Sequence, residues 1–405
     1  MTVCCLFLFL TSVSFVTPGK MSQTKMQEEQ AALTTSINQF STSFYKETAA
    51  IKDGENLVMS PLSAQIVLAL LSLGAQDETQ AELNRALFTP NVEFTKSAYK
   101  NAIINLNSVK GVTLNIANKV FVKDGEQFVL HPEFKKNSVD IFASEAQNLN
   151  FNENVKAAKT INTWVEDKTN NRIKDLISSD SLSADTRLVL VNAIYFKGSW
   201  EKKFDPQRTM KKDFHVTRDN KVQVDMMHLT GNFGYAEIPE WNAKILELPY
   251  EKHEMSMVII LPNEIDGLKS LEDKMAQGNL SDMLKRLHGN EVNIALPKFK
   301  IETSIDLKKV LPKMGMKLIF DQNKANLKGL LKNDEQLYVS EAIQKAFIEV
   351  NEEGAEAAAA TGFVMMCRMM PIIMEFHADH PFLFALQTGG SIVFTGRVFK
   401  FDEEN

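Results

Sequence analysis

Seven histidines (His131, His215, His228, His253, His288, His377 and His380) and three cysteines are the side chains best suited to hold a metal or activate a nucleophile. Only His377 and His380 stand close together. On a helix, two histidines three residues apart share a metal ion, but Pro381 follows at once and the context reads as a strand start. Cys367 as a nucleophile needs a neighbouring base and a shielded pocket, and its surroundings read as an exposed loop instead. There is no Gly-x-Ser-x-Gly, no His-Glu-x-x-His, no phosphate loop and no Gly-x-Gly-x-x-Gly after a strand. Nothing here argues for an enzyme, and no cofactor or metal is implied.

One cation stands out by its position. Arg368 is the only lysine or arginine between Lys345 and Arg397, and it lies in the stretch VNEEGAEAAAATGFVMMCRMMP, Val350 to Pro371. That stretch opens on two acids and a glycine and then runs from Ala355 to Thr361 without a bulky side chain. Alanine and glutamate favour helix, but the span between Gly354 and Gly362 is shorter than the ~12–15 residues an isolated helix needs. As a strand, it places Ala355, Ala357, Ala359 and Thr361 on one face and Glu356, Ala358, Ala360 and Gly362 on the other. The only charge falls on the second face. The methionines Met365, Met366, Met369, Met370 and Met374 read as adaptable apolar contacts or, with Cys367, as oxidation-sensitive ones.

The elements that must carry this stretch are legible in part. SPLSAQIVLALLSLGA has Ser60 as helix N-cap, Pro61 at the first helical position and Gly74 as the stop. Its apolar residues surround the axis, so this helix should be buried. A second helix runs through Ala158, Ile161, Trp164 and Val165 to end near Asn170-Asn171. RLVLVNAIYFKGSW reads as a strand covered on both faces, since it barely alternates at its centre. KILELPY, SMVIILP, NEVNIALPKFKIE, HPFLFALQ and SIVFTGRVFKF also read as strands. Helices first and strands later predict an α+β fold.

Composition narrows the class. The 405 residues are 44% hydrophobic, enough for a large core, and no repeat or low-complexity linker divides them. A net charge of -6 excludes a basic nucleic-acid footprint, and Lys202-Lys203 and Lys211-Lys212 read as solvated faces. Residues 1–19 read as an export signal: the apolar core from Val3 to Val16 is too short to span a bilayer. The expected product is a secreted, extracellular protein of one domain, residues 20–405, that does not sit in a membrane. Cys4 and Cys5 leave with the signal, so only Cys367 remains and no internal disulfide forms. Asn279-Leu280-Ser281 is a glycosylation sequon.

NLVMSPLSAQIVLALLSLGA, INTWVEDKTNNRIKDLI, LVNAIYFKGSWEKKFDP, EEGAEAAAA, and FHADHPFLF with SIVFTGRV, in that order, resemble the serpin family over roughly Ala31 to Phe401. The Ala378-Asp379-His380-Pro381-Phe382 variant is similar to the arthropod, particularly lepidopteran, alaserpin- and antitrypsin-like branch of inhibitory serpins. The resemblance implies about nine helices and three β-sheets, with an exposed reactive-centre loop at about 352–376. It also implies a mechanical trap: a serine protease cleaves the loop, the N-terminal half inserts into the main sheet, and the acylated protease is dragged along. Inserting about a dozen residues at a net ~1 kcal/mol per backbone hydrogen bond yields on the order of 10–20 kcal/mol. That rivals the ~5–15 kcal/mol stability of a typical domain, so the uninserted form would be held kinetically.

By the same resemblance, the hinge is Glu352, Glu353, Gly354, Ala355, Glu356, Ala357, Ala358, Ala359, Ala360 and Thr361. The family's scissile bond lies 14 residues past the hinge glycine, and Gly354 plus 14 is Arg368, so the reactive bond is Arg368–Met369. A slip in loop length moves it to Cys367 or Met366. Arginine there suits trypsin-like proteases with a carboxylate in the specificity pocket, the expected covalent partner of a chain that is monomeric when free. Ser60, Ser63 and Asn192 match the polar cluster where the family's strands part, and Trp200 matches the aromatic where insertion begins. Gln344 stands where the family commonly has histidine. Two rivals remain: a non-inhibitory carrier, storage or chaperone serpin, and an inhibitor of cysteine proteases. The former often carries bulky, charged or proline hinge residues, which are absent from Ala357 to Thr361 here.

Overall fold

The structure is a computed structural model that describes residues 18–278, 280–353 and 373–401. In chain order the elements are α1 Pro18–Ile51, β1 Leu57–Met59, α2 Pro61–Ser72, α3 Asp77–Ala86, α4 Val92–Ser108, β2 Val112–Lys123, α5 Pro132–Asp140, β3 Glu145–Leu149 and α6 Asn154–Lys168. Strands then dominate: β4 Leu188–Gly198, β5 Met210–His215, β6 Lys221–Ile238, β7 Ala243–Pro249 and β8 Ser256–Pro262. After α7 Leu268–Gln277 and α8 Leu280–Leu284 come β9 His288–Pro297, β10 Phe299–Asp306, α9 Leu307–Val310, β11 Val339–Val350, β12 Met374–His377, β13 Phe382–Thr388 and β14 Ser391–Val398. The architecture is α+β. Among the described residues, no helix is long and apolar enough to cross a membrane. The expected export segment lies outside the described residues up to position 17, and Pro18 and Gly19 open α1.

Two hydrogen-bonded sheets form among the described residues. The smaller has the order β10-β11-β4-β2-β3. The larger runs β1-β14-β13-β8-β7-β6-β9-β12, with β5 on β6. Where three sheets are expected, two ladders appear because β6 is 18 residues long: its first part pairs with β5, its middle with β9 and its end with β7. One continuous strand therefore stitches together what shorter strands would leave as separate sheets.

Local chemistry explains the elements around the site. Ser60 caps α2 by accepting from the Ser63 amide, and Pro61 occupies the first turn, where its missing N–H costs nothing. All twelve residues of α2 are buried, since the helix is threaded through the core. Strand β4 is buried on both faces by alternation: Leu188, Leu190, Ile194 and Phe196 join the main core, while Val189, Val191, Ala193 and Tyr195 join a second cluster. That second cluster is the layer under α6, built on Ala157, Ala158, Ile161 and Val165. The helix ends at Lys168, and Asn170 and Asn171 both turn left-handed just beyond it, a conformation asparagine tolerates.

Candidate functional site

The centre of the smaller sheet has a peculiarity of direction. Strand β4 pairs antiparallel with β2 on one side but parallel with β11 on the other, from Leu188↔Val339 to Phe196↔Ile348. The chain leaves β11 at Val350 and runs straight into the small-residue stretch. A segment that reversed direction there and lay between β11 and β4 would be antiparallel to both.

At the middle of these strands sits a polar island in an apolar core. Gln344 of β11, Asn192 of β4 and Asn118 of β2 are register partners across three neighbouring strands. Gln344 Nε2 donates to Asn192 Oδ1 at 2.5 Å and to the Ser60 carbonyl at 2.8 Å, while its Oε1 accepts from the Ser60 amide at 3.0 Å. Asn192 Nδ2 donates to Ser63 Oγ at 2.5 Å and to Asn118 Oδ1. Ser60 Oγ donates to the Val393 carbonyl of β14 at 2.7 Å. The structure thus joins Ser60, Ser63, Asn192 and Gln344 in one buried network in which both Gln344 amide protons and its oxygen are used. Asn118 belongs to it as well. A lone asparagine in NIANKVFVK was the available signal, but that run was not read as a strand.

Trp200 stands apart from this network, at the end where β11 stops. Its indole Nε1 donates to the Asn351 carbonyl at 2.9 Å, and its ring stacks on Tyr250 with centroids 4.5 Å apart. Burial pushes the Tyr250 hydroxyl well above the usual phenol range. The Phe204 amide donates to the Glu352 carbonyl at 3.1 Å. The Glu352 carboxylate accepts from Thr209 Oγ1 at 2.8 Å and pairs with Lys298 Nζ at 3.0 Å. Burial alone would raise the Glu352 pKa, but its backbone N–H, Lys298 and Thr209 together outweigh that and hold it below the ordinary carboxylate value. Glu352 is therefore only 8% exposed and tied on three sides. Lys298, Thr209 and Tyr250 had no sequence signal, because nothing local says which strand ends meet.

The rest of the hinge, Gly354 to Thr361, and the bond Arg368–Met369 lie outside the described residues, as does Asn279. The chain resumes at Ile373, and β12 pairs parallel with β9 at the edge of the larger sheet. Among the described residues, no group of three or more His, Cys, Asp or Glu is placed to hold a metal ion.

The family profile Serpin (serine protease inhibitor) matches residues 35–401. The chain belongs to the serpin family. It is 46% identical over 372 residues to alaserpin of Manduca sexta, covering 92% of this chain and 94% of that protein. Antitrypsin of Bombyx mori is 43% identical over 361 residues, covering 88% and 91%. Among solved structures, Serpin48 of Tenebrio molitor superposes with a TM-score of 0.84 at 38% identity, over 92% of this chain and 99% of that one. Cleaved Serpin 42Da superposes with a TM-score of 0.83 at 36% identity, over 93% and 100%. This serpin is thus similar to insect serpins, and its family is one of serine protease inhibitors.

Proposed function

We propose that this serpin is a secreted, irreversible inhibitor of trypsin-like serine proteases, acting as a monomer through the Arg368–Met369 bond. The observation that carries the reading is the parallel β11–β4 pair, continuous at the end of β11 with a run of small residues. The protease serine attacks the Arg368 carbonyl, the acyl bond forms, and the Met369 amine departs with the rest of the C-terminal chain. Freed from Met369, the segment from Ala355 onward reverses and enters between β11 and β4. One parallel ladder is exchanged for two antiparallel ones, and the net gain is a full ladder of backbone hydrogen bonds.

The target class rests on Arg368. Relatives in Bombyx mori named antitrypsin and antichymotrypsin-2 are both 43% identical to this chain, so overall likeness does not choose the protease. A guanidinium in the bait position does, because it pairs bidentately with a carboxylate at the base of a trypsin-like pocket.

The test is incubation of the mature protein with trypsin. An SDS-resistant adduct is expected, with a small C-terminal peptide beginning at Met369. Arg368→Ala should abolish trypsin inhibition. Clean cutting without adduct would make the chain a substrate and end the inhibitory reading, and an unchanged rate in Arg368→Ala would place the bait elsewhere.

A further inference from the structure

Strands β5, β6, β9 and β12 lie side by side at one corner of the larger sheet, and their register lays a row of side chains across it. His377 of β12 is the partner of Ala295 of β9, and Ala295 is the partner of His228 of β6. The methyl group of Ala295 between two imidazoles leaves a hollow, and a cleft there is lined by Lys211, Lys212, His215, His228 and His377.

The charges around this cleft do not balance locally. Its acids are already engaged: Asp213 with Lys221 at 2.5 Å, Asp225 with Lys211 at 3.4 Å, Asp379 with His380 at 2.8 Å, and Glu375 with His377 at 2.7 Å. Lys212, Arg208 and His228 have no carboxylate partner among the described residues. Burial pushes the His228 pKa down, and the charges of Lys212, His377 and Arg208 push it the same way. His228 Nε2 is shielded from water with no hydrogen-bond partner among the described residues. Groups that face His228 from β5, from the turn before it and from β12 are thus cationic, and Ala295 of β9 supplies no charge.

We propose that this cleft is a binding site for a tetrahedral oxyanion, free inorganic phosphate or the phosphate of a small monoester, held by Lys212 with His228 and His377. A dianion there offers acceptors to donors on three strands and relieves the repulsion among them. It also fastens β12, which is only four residues long, to β5 and β6. The site is independent of the inhibitory reading, since it uses neither the hinge nor the bait.

The experiment is a histidine NMR titration of the full chain in inorganic phosphate, in phenyl phosphate and in chloride at matched ionic strength. Phosphate should move the His228 titration to higher pH, because the anion stabilises the imidazolium, and should slow amide exchange in β12. Lys212 lies at the exposed rim, so Lys212→Ala keeps the fold and should weaken phosphate by about tenfold, the size of one charge-assisted hydrogen bond. A response to phenyl phosphate as well identifies an ester site, and a response to inorganic phosphate alone identifies a free-ion site. No movement of His228, an equal response to chloride, or unchanged phosphate affinity in Lys212→Ala would overturn the proposal.

Discussion

Glu352 shows how one side chain holds the site in its starting state. It is the first residue past β11 whose carboxylate is engaged, and it ties the chain to Lys298 on the link between β9 and β10 and to Thr209 just before β5. Because its folded pKa is depressed, its contribution to stability is complete above the unfolded carboxylate range and is lost as pH falls through the folded value. Glu352→Gln should therefore lower stability by about 1–2 kcal/mol near pH 7, less than for a fully buried pair because Lys298 reaches solvent. The difference between wild type and variant should vanish by about pH 3 in urea unfolding. A difference that persists there would show that the carboxylate charge is not what holds this corner. The sequence marked Glu352 as part of the hinge but gave no hint of its partners, which lie 54 and 143 residues away. Gln344 is the opposite case. Its place beside Asn192 and Ser60 was legible, and the structure shows how an amide that both donates and accepts closes a network in which every one of its groups is used.

At the scale of elements, β4 was readable and β11 was not, for one physical reason. RLVLVNAIYFKGSW is apolar on both faces, and only a strand between two packed layers needs that. VSEAIQKAFIEV is rich in alanine, glutamate, glutamine and lysine, whose local preference is helical; its strand state is imposed by β10 and β4 on either side. The same covering sets the demand on the inserting segment. Tyr195 and Phe347 are register partners with ring centroids 5.6 Å apart, and they face the layer under α6, while Ala346 and Ile194 face the main core. A residue entering between β4 and β11 is thus buried whichever way it points. Ala357→Arg would bury an unpaired guanidinium, at a cost of several kcal/mol. Trypsin should then cleave this variant to completion with little adduct, measured as the number of inhibitor molecules consumed per protease molecule trapped. An unchanged ratio would mean that position 357 does not enter the sheet.

For the whole molecule, the proposed trap requires that the intact fold is not the most stable arrangement of the chain. Exchanging one ladder for two at a net ~1 kcal/mol per bond should raise the melting temperature of the loop-cleaved protein by at least about 10 °C over the intact form. Calorimetry before and after limited proteolysis in the loop measures this, and equal melting temperatures would leave no stored energy to deform a protease.

Local composition settled what depends on neighbours along the chain. The Ser60-Pro61 cap, the two-faced apolarity of β4, the small side chains from Ala355 to Thr361 and the solitary Arg368 are all properties of short windows, and each states a physical requirement by itself. Tertiary structure alone decided what depends on register between distant strands: the parallel meeting of β11 with β4, the place of Asn118 beside Asn192, the clamp on Glu352, and the row from His377 to His228. A strand's own residues specify which faces are buried, but the direction and offset of its partner follow from how the entire core closes.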